Sequence, residues 1–351
     1  LSNRSAIDQT RPAPPAIDLG YRRVGVLTRT PDVVAAFGVD PEDVLRVAGL
    51  TRESIAQQEG SISYVAMGRL LGAAAEATGC AHIGLLLGRE ANLQTLGLLG
   101  QMLAHSLSVI DAMRALVQHY ERFGRGSHVY LITHGDHVLW GYAVHQKDMP
   151  HVQHAYDFAI TAGYRFLSLV SGRGPSEVLL PRKRPADAGA YRETFKAPVR
   201  FDSEHAALVI PADVAHAPIK GADPARYAQI AANVQAYWAT DGVTLSDRVL
   251  RMIRRTILAE AQPSALSVAQ ALGLHPKTLS RRLQDEGATF RALLADARLE
   301  MAKQLLDCTR MSVTDLALAV GYGDIAAFNH AFHRWTGMSP GEWRRGVGER
   351  D

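Results

Sequence analysis

Cysteine is nearly absent: Cys80 and Cys308 are the only two in 351 residues, far apart and without metal-type partner spacing. That argues against a disulfide framework and fits a reducing cytoplasm. Cys308 ends an apolar helical pattern and reads as packing. No run approaches the roughly 18 consecutive apolar residues that a membrane span needs. The opening LSNRSAIDQTRPAPPAIDLG lacks a basic-then-apolar signal pattern, and its Pro, Ser and Arg content suggests a flexible arm over residues 1–20. Catalytic signatures are missing as well. There is no G-x-S-x-G and no P-loop, and a lone Gly124-x-Gly126 follows a helical pattern rather than a strand. No enzyme class is supported, and neither a cofactor nor a membrane is expected. Eleven histidines before residue 246 keep a cryptic hydrolase or a metal-binding protein open as alternatives.

What is present is a chain long enough for two domains. From Ser246 onward there are 15 Lys and Arg against 12 Asp and Glu, so this last third carries the whole formal excess of +3. An excess that small permits an anionic partner without demanding one. Pro31 to about Phe123 reads as several helices. SYVAMGRLLGAAAEATG stops at Gly79, and SVIDAMRALVQHYERFG has Ser108 as cap and Gly124 as stop. HVYLITHGDHVLWGYAV then alternates with period two and predicts a hairpin turning at Gly135 and Asp136. A helix over 152–170, a strand over 178–180, a helix through Tyr191 and a strand over 205–211 complete an α+β domain spanning 21–220. A connector helix and linker cover 221–245, with Tyr227, Ile230, Val234 and Trp238 as a stripe for its own domain or a second subunit.

The last hundred residues contain a repeat. PSALSVAQALGLHPKTLSRRL aligns with MSVTDLALAVGYGDIAAFNHAF. Ser264, Ala269, Ala271 and Gly273 fall 48 residues before Ser312, Ala317, Ala319 and Gly321; Leu279 and Leu283 fall 49 before Phe328 and Phe332. In each copy a Ser cap opens a short helix, Asp315 suggests a capping box in the second, a glycine permits a sharp turn, and a second helix buries one face. That grammar is a helix-turn-helix. Between the copies TFRALLADARLEMAKQLLDC reads as one long helix of roughly 28 Å. Such a strut can hold two recognition helices about 34 Å apart, one turn of B-DNA.

The second copy resembles the AraC/XylS family of bacterial transcription regulators. Its Gly321-Tyr322, Phe328, Phe332, Arg334-Trp335, Gly337, Ser339-Pro340 and Trp343-Arg344 match that family's signature, and the likeness spans about Leu245 to Arg345. The resemblance implies an all-α DNA-binding domain over 246–351 with two helix-turn-helix units joined by the long helix, binding double-stranded promoter DNA. Helical geometry turns Lys277, Thr278, Ser280, Arg281 and Arg282 outward in the first unit, and by resemblance Lys277, Ser280 and Arg281 face bases. In the second unit Ile325, Ala326, Asn329 and His330 face out, followed by His333 and Arg334. His330 stands where the family carries Arg or Lys, so this unit is expected to rely on phosphate contacts and shape.

The first domain is similar to the arabinose-binding-like sensor found on one branch of the family, through LGLLGQML, the hairpin and RFDSEHAALVIP. This implies a small-molecule effector of unknown identity, with a constitutive regulator as the alternative. Trp140, Tyr142, Tyr156, Phe158 and Tyr164 are the candidate ligand-lining residues, with plain core packing as the rival reading. His134, His137, His145, His151 and His154 crowd the hairpin without a diagnostic metal spacing, and no metal residue is assigned. A homodimer is expected, and RNA polymerase is a further candidate partner.

Overall fold

The structure is a computed structural model describing residues 20–57, 60–120, 124–146, 148–238, 244–259 and 262–348. The expected arm, the domain boundary near 241–243 and the side chains of Val234 and Trp238 lie outside the described residues.

The first domain begins with strand β1 (Tyr21–Arg23) and helices α1 (Thr30–Ala35), α2 (Pro41–Ala48) and α3 (Arg52–Ala56). Strand β2 (Ser61–Ser63) leads into helices α4 (Tyr64–Thr78), α5 (Ile83–Arg89), α6 (Leu98–Ala104) and α7 (Val109–His119). Local chemistry sets these ends: the Ser63 and Ser108 hydroxyls accept from the amides of Ala66 and Asp111, and Gly79 closes α4 at φ 65°. Gly124 is not the stop of α7; it lies in β3 (Gly124–Arg125), which pairs with β1 in a small sheet of order β2-β1-β3.

The hairpin is β4 (Ser127–His134) and β5 (His137–Val144), joined by a two-residue turn with Gly135 at φ 53°. After α8 (Val152–Ser171) come β6 (Glu177–Leu179), α9 (Gly189–Phe195), β7 (Val199–Arg200), β8 (Ala206–Pro211) and α10 (Ala212–Ala215). These strands build a sheet of order β4-β5-β8-β6-β7, antiparallel except for β6 with β7. Helix α5 lies so close on α8 that a Cβ at Gly84 would overlap the His154 carbonyl, and one at Gly88 the Thr161 side chain.

Helix α11 (Pro224–Trp238) follows, packed against α6 with Ile230 buried. The all-α domain consists of α12 (Leu245–Leu258), α13 (Ala265–Ala271), α14 (Pro276–Asp285), α15 (Phe290–Cys308), α16 (Val313–Ala319), α17 (Ile325–Thr336) and α18 (Pro340–Gly348). Its long helix α15 buries Leu293, Ala297, Met301, Ala302, Leu305 and Leu306, because helices pack on more than one side of it. Among the described residues no single helix is long and apolar enough to cross a membrane.

Period-two geometry gives the five-stranded sheet two distinct faces. Val129, Trp140, Tyr142 and Leu208 line a cavity on the side covered by α8. His128, Tyr130 and His134 alternate with them along the hairpin and face the all-α domain: His128 Nε2 lies 2.8 Å from Gln304 Oε1, and His134 Nε2 lies 2.8 Å from Asp315 Oδ1. One sheet is therefore the common wall of the cavity and the all-α domain.

Candidate nucleic-acid interface and interior cavity

Two helix-turn-helix units are present, each formed as its sequence requires. In the first, Ser264 and Ser267 make a reciprocal capping box on α13, Gly273 turns the chain at φ 66°, and Pro276 opens α14. Leu279 and Leu283 are buried at the i and i+4 positions of α14. Lys277, Ser280, Arg281 and Arg282 are exposed and Thr278 is half-buried, so one polar face is presented to solvent. Arg281 and Arg282 form no ion pair among the described residues, which leaves both guanidinium groups available.

In the second unit Ser312 caps α16, Gly321 turns at φ 80°, and the Asp324 carboxylate accepts from the amides of Ala326 and Ala327 at 3.1 and 3.0 Å. Those bonds hold the Asp324 carboxyl below the usual carboxylate range. Phe328 and Phe332 are buried; Ile325, Ala326, Asn329, His330, His333 and Arg334 are exposed. Trp335 is only half-buried, while Trp343 packs edge-on against Phe332 and donates its indole N–H to Asp307 at 2.8 Å. The Gly321-Tyr322 pair ties the turn to α15, since Arg298 donates to the Gly321 carbonyl at 2.9 Å and lies 4.6 Å from the centre of the Tyr322 ring.

The reciprocal capping box expected of Asp315 does not form. Its amide donates to Ser312 Oγ at 3.0 Å, but its carboxylate turns to the first domain. Oδ1 receives His134 and Oδ2 receives His205 Nε2 at 3.0 Å. Tyr130 Oη lies 3.1 Å from His205 Nδ1, so the hydroxyl donates there and the imidazole proton sits on Nε2, facing Asp315. The His205 hydrogen bond, chiefly, keeps the Asp315 carboxyl below its ordinary range. Arg310 adds contacts to Asp202 at 2.9 Å and to the Ser203 carbonyl at 3.1 Å. Docking thus uses α12, α15 and α16 and leaves the polar faces of α14 and α17 open.

The cavity's interior accessible to water-sized spheres is about 90 Å³, within about 780 Å³ of space that includes its open mouth. Of the five aromatic residues proposed to line it, Trp140, Tyr142 and Phe158 do so. Tyr156 packs edge-on to Tyr142 with centroids 6.0 Å apart, and Tyr164 edge-on to Phe195 at 5.4 Å; neither is among the lining residues. Sequence reasoning missed Arg22 and Tyr120, which come from two separated segments. The only local signal for Arg22 was Tyr-Arg-Arg after a Pro-rich stretch, which is not specific.

The hairpin histidines disperse. His137 reaches Asp136, His145 is buried against His128 with ring centroids 4.4 Å apart, and His151 stacks on His154 at 6.4 Å. Among the described residues no group of three or more His, Cys, Asp and Glu is placed to hold a metal ion.

Comparison with known proteins agrees with this architecture. Residues 38–219 match the model for the arabinose-binding domain of AraC transcription regulator, N-terminal, and residues 268–346 match a helix-turn-helix domain. The HTH-type transcriptional regulator VirS of Mycobacterium tuberculosis is 27% identical over 325 residues, covering 89% of this chain and 93% of its own. The ornithine utilization regulator of Pseudomonas aeruginosa is 25% identical over 318 residues, with coverages of 89% and 93%. The crystal structure of the transcriptional regulator CdpR from Pseudomonas aeruginosa aligns with TM-score 0.41 and 26% identity over 75% of this chain and 86% of that one. With an N-terminal family model spanning more than half its length and a helix-turn-helix model behind it, the chain belongs to the AraC family of DNA-binding transcription regulators.

Proposed function

We propose that this protein is a ligand-responsive promoter-binding regulator. Residues 21–220 form its regulatory domain, 221–245 its connector and 246–351 its DNA-reading domain. Arg281, with Lys277 and Ser280, reads base edges in one major-groove segment, and Thr278 and Arg282 support it. Ile325, Ala326, Asn329, His330, His333 and Arg334 engage the next segment, mainly through backbone and shape. A second copy of the chain and RNA polymerase are the protein partners that this function calls for.

The observation that carries the proposal is the shared sheet. Trp140 and Tyr142 face the cavity, while Tyr130 on the opposite face orients His205 toward Asp315 in the second reading unit. Tyr130 also packs across Gly141, whose backbone lines the cavity. A ligand that shifts these strands changes the geometry at Asp315. It acts only in so far as it binds the two domain arrangements with different affinity.

The test is quantitative footprinting of the full chain on its selected operator, with and without small molecules that protect the first domain from thermal unfolding. Specific binding that falls steeply with salt and shifts with the protecting ligand is expected. Salt-insensitive or sequence-blind binding would remove the DNA assignment. Specific binding unchanged by every protecting ligand would leave a constitutive regulator.

A further inference from the structure

We infer that the cavity takes a monocarboxylate with a hydrocarbon body, its carboxylate held by Arg22; this rests on the sensor function proposed above and names its ligand class. The walls are Leu116, Val129, Trp140, Phe158, Ile160 and Leu208. Among the described residues, no Asp or Glu lines the space.

Arg22 stands at the polar end. Its Nη1 donates to Tyr120 Oη at 2.9 Å, its guanidinium lies 5.1 Å from the centre of the Phe158 ring, and its Nε is buried without a hydrogen-bond partner. Among the described residues no carboxylate forms an ion pair with it. The neighbouring hydroxyls are already engaged with one another: Tyr64 and Tyr120 lie 2.5 and 3.2 Å from Ser127 Oγ. A guanidinium withdrawn from water and left without an anion is costly, and one planar carboxylate satisfies its fork in a way that neutral tyrosines cannot.

The remaining wall chemistry narrows the class. A sugar needs donors and acceptors around its whole ring; beyond the Arg22 end the polar side chains in the lining are Arg23, Thr95, Tyr142 and Trp140, against a majority of apolar residues. A single negative charge on an alkyl or aryl body uses the anchor and the apolar walls together.

The experiment is calorimetric titration of the full chain with sodium octanoate and sodium phenylacetate, the alkyl and aryl arms, against octan-1-ol, 2-phenylethanol and L-arabinose. At least one acid should bind at least about tenfold more tightly than its alcohol, and Arg22→Gln should abolish that preference. Arg22→Lys keeps the charge and should restore part of it, which separates anion anchoring from a folding defect. Acids binding no better than their alcohols, acids failing to bind at all, or an acid preference that survives Arg22→Gln would overturn the inference. Operator binding measured in the same samples distinguishes the two levels. An acid that binds through Arg22 without altering DNA affinity sinks the sensor function and leaves the site. A DNA response to arabinose or an alcohol alone sinks the site and leaves the sensor.

Discussion

Asp315 and His205 are 110 residues apart in the chain and meet at 3.0 Å, the carboxylate of a helix-turn-helix unit against an imidazole of the first domain. With His134 on the other oxygen, both carboxylate oxygens of Asp315 are engaged by the first domain. Its side chain is 17% exposed, so solvent screens these bonds only in part.

Asp315→Asn should therefore loosen docking while leaving α16 folded, because the capping bond runs to the backbone amide. The expected loss is about 1.5–3 kcal/mol of domain coupling. It is read as faster amide exchange in β4 and α16 and a changed DNA response to ligand. Since the folded carboxyl is held below its unfolded value, the wild-type contribution is present above about pH 4 and fades as pH falls through the depressed value. The variant should lack that acid-side loss of coupling.

Arg281→Ala should lower specific affinity by about 1–3 kcal/mol and relax preference at one base pair. Arg282→Ala should instead weaken all sequences alike and reduce the salt slope by about one. Selection of operators from a random library distinguishes the two. Unchanged selectivity in Arg281→Ala would refute a base-reading role.

His330→Arg should strengthen DNA binding and steepen its salt dependence by up to about one phosphate contact. His330 is exposed beside the other outward groups of α17, so a longer, permanently charged side chain can reach the backbone without disturbing Phe328 or Phe332. Equal affinity and equal salt slope would show that α17 does not approach DNA at this position.

Acid stability should depend on His154. Burial, with the positive charges of Arg182 and His151, pushes its imidazole down to about 4 from an ordinary 6.5. A lowered folded value means that the stability is present above about 6.5 and lost as pH falls toward 4, by up to about 3 kcal/mol at the acid end. His154→Gln should flatten thermal stability across that window while costing stability at neutral pH. Because burial pushes the Asp157 carboxyl up to about 6, which adds stability as pH falls in the same window, the comparison is between the two proteins: identical pH profiles of wild type and His154→Gln between pH 7 and 4.5 would contradict this.

Gly84→Ala should destabilise the first domain by about 1–3 kcal/mol, since α8 leaves no room for a methyl group beside the His154 carbonyl. Chemical denaturation should show the loss without any change in the exposed faces of α14 and α17.

The repeat at 48–49 residues, the capped short helices and the buried pairs Leu279 with Leu283 and Phe328 with Phe332 were legible in the chain itself. Helix-turn-helix structure is built from contacts a few residues apart, so its outward face follows from helical periodicity. The hairpin at Gly135 and Asp136 and its alternation were legible for the same reason. The polar end of the cavity was not. Arg22 and Tyr120 converge from a strand and a helix end far apart in the chain, and no local period joins them.

Asp315 shows where local pattern gives way. Three residues after Ser312 it has the spacing of a capping-box partner, and sequence alone assigns it to its own helix. Two histidines on a remote sheet compete for the carboxylate and win, because each supplies a directed N–H in a partly dry interface. Sequence by itself determined that this chain carries two helix-turn-helix units and an alternating hairpin, for both are local periodicities. Only the tertiary structure decided that one face of that hairpin lines a cavity and the other holds a helix-turn-helix unit, because side chains far apart in sequence acquire a common wall only when the sheet is assembled.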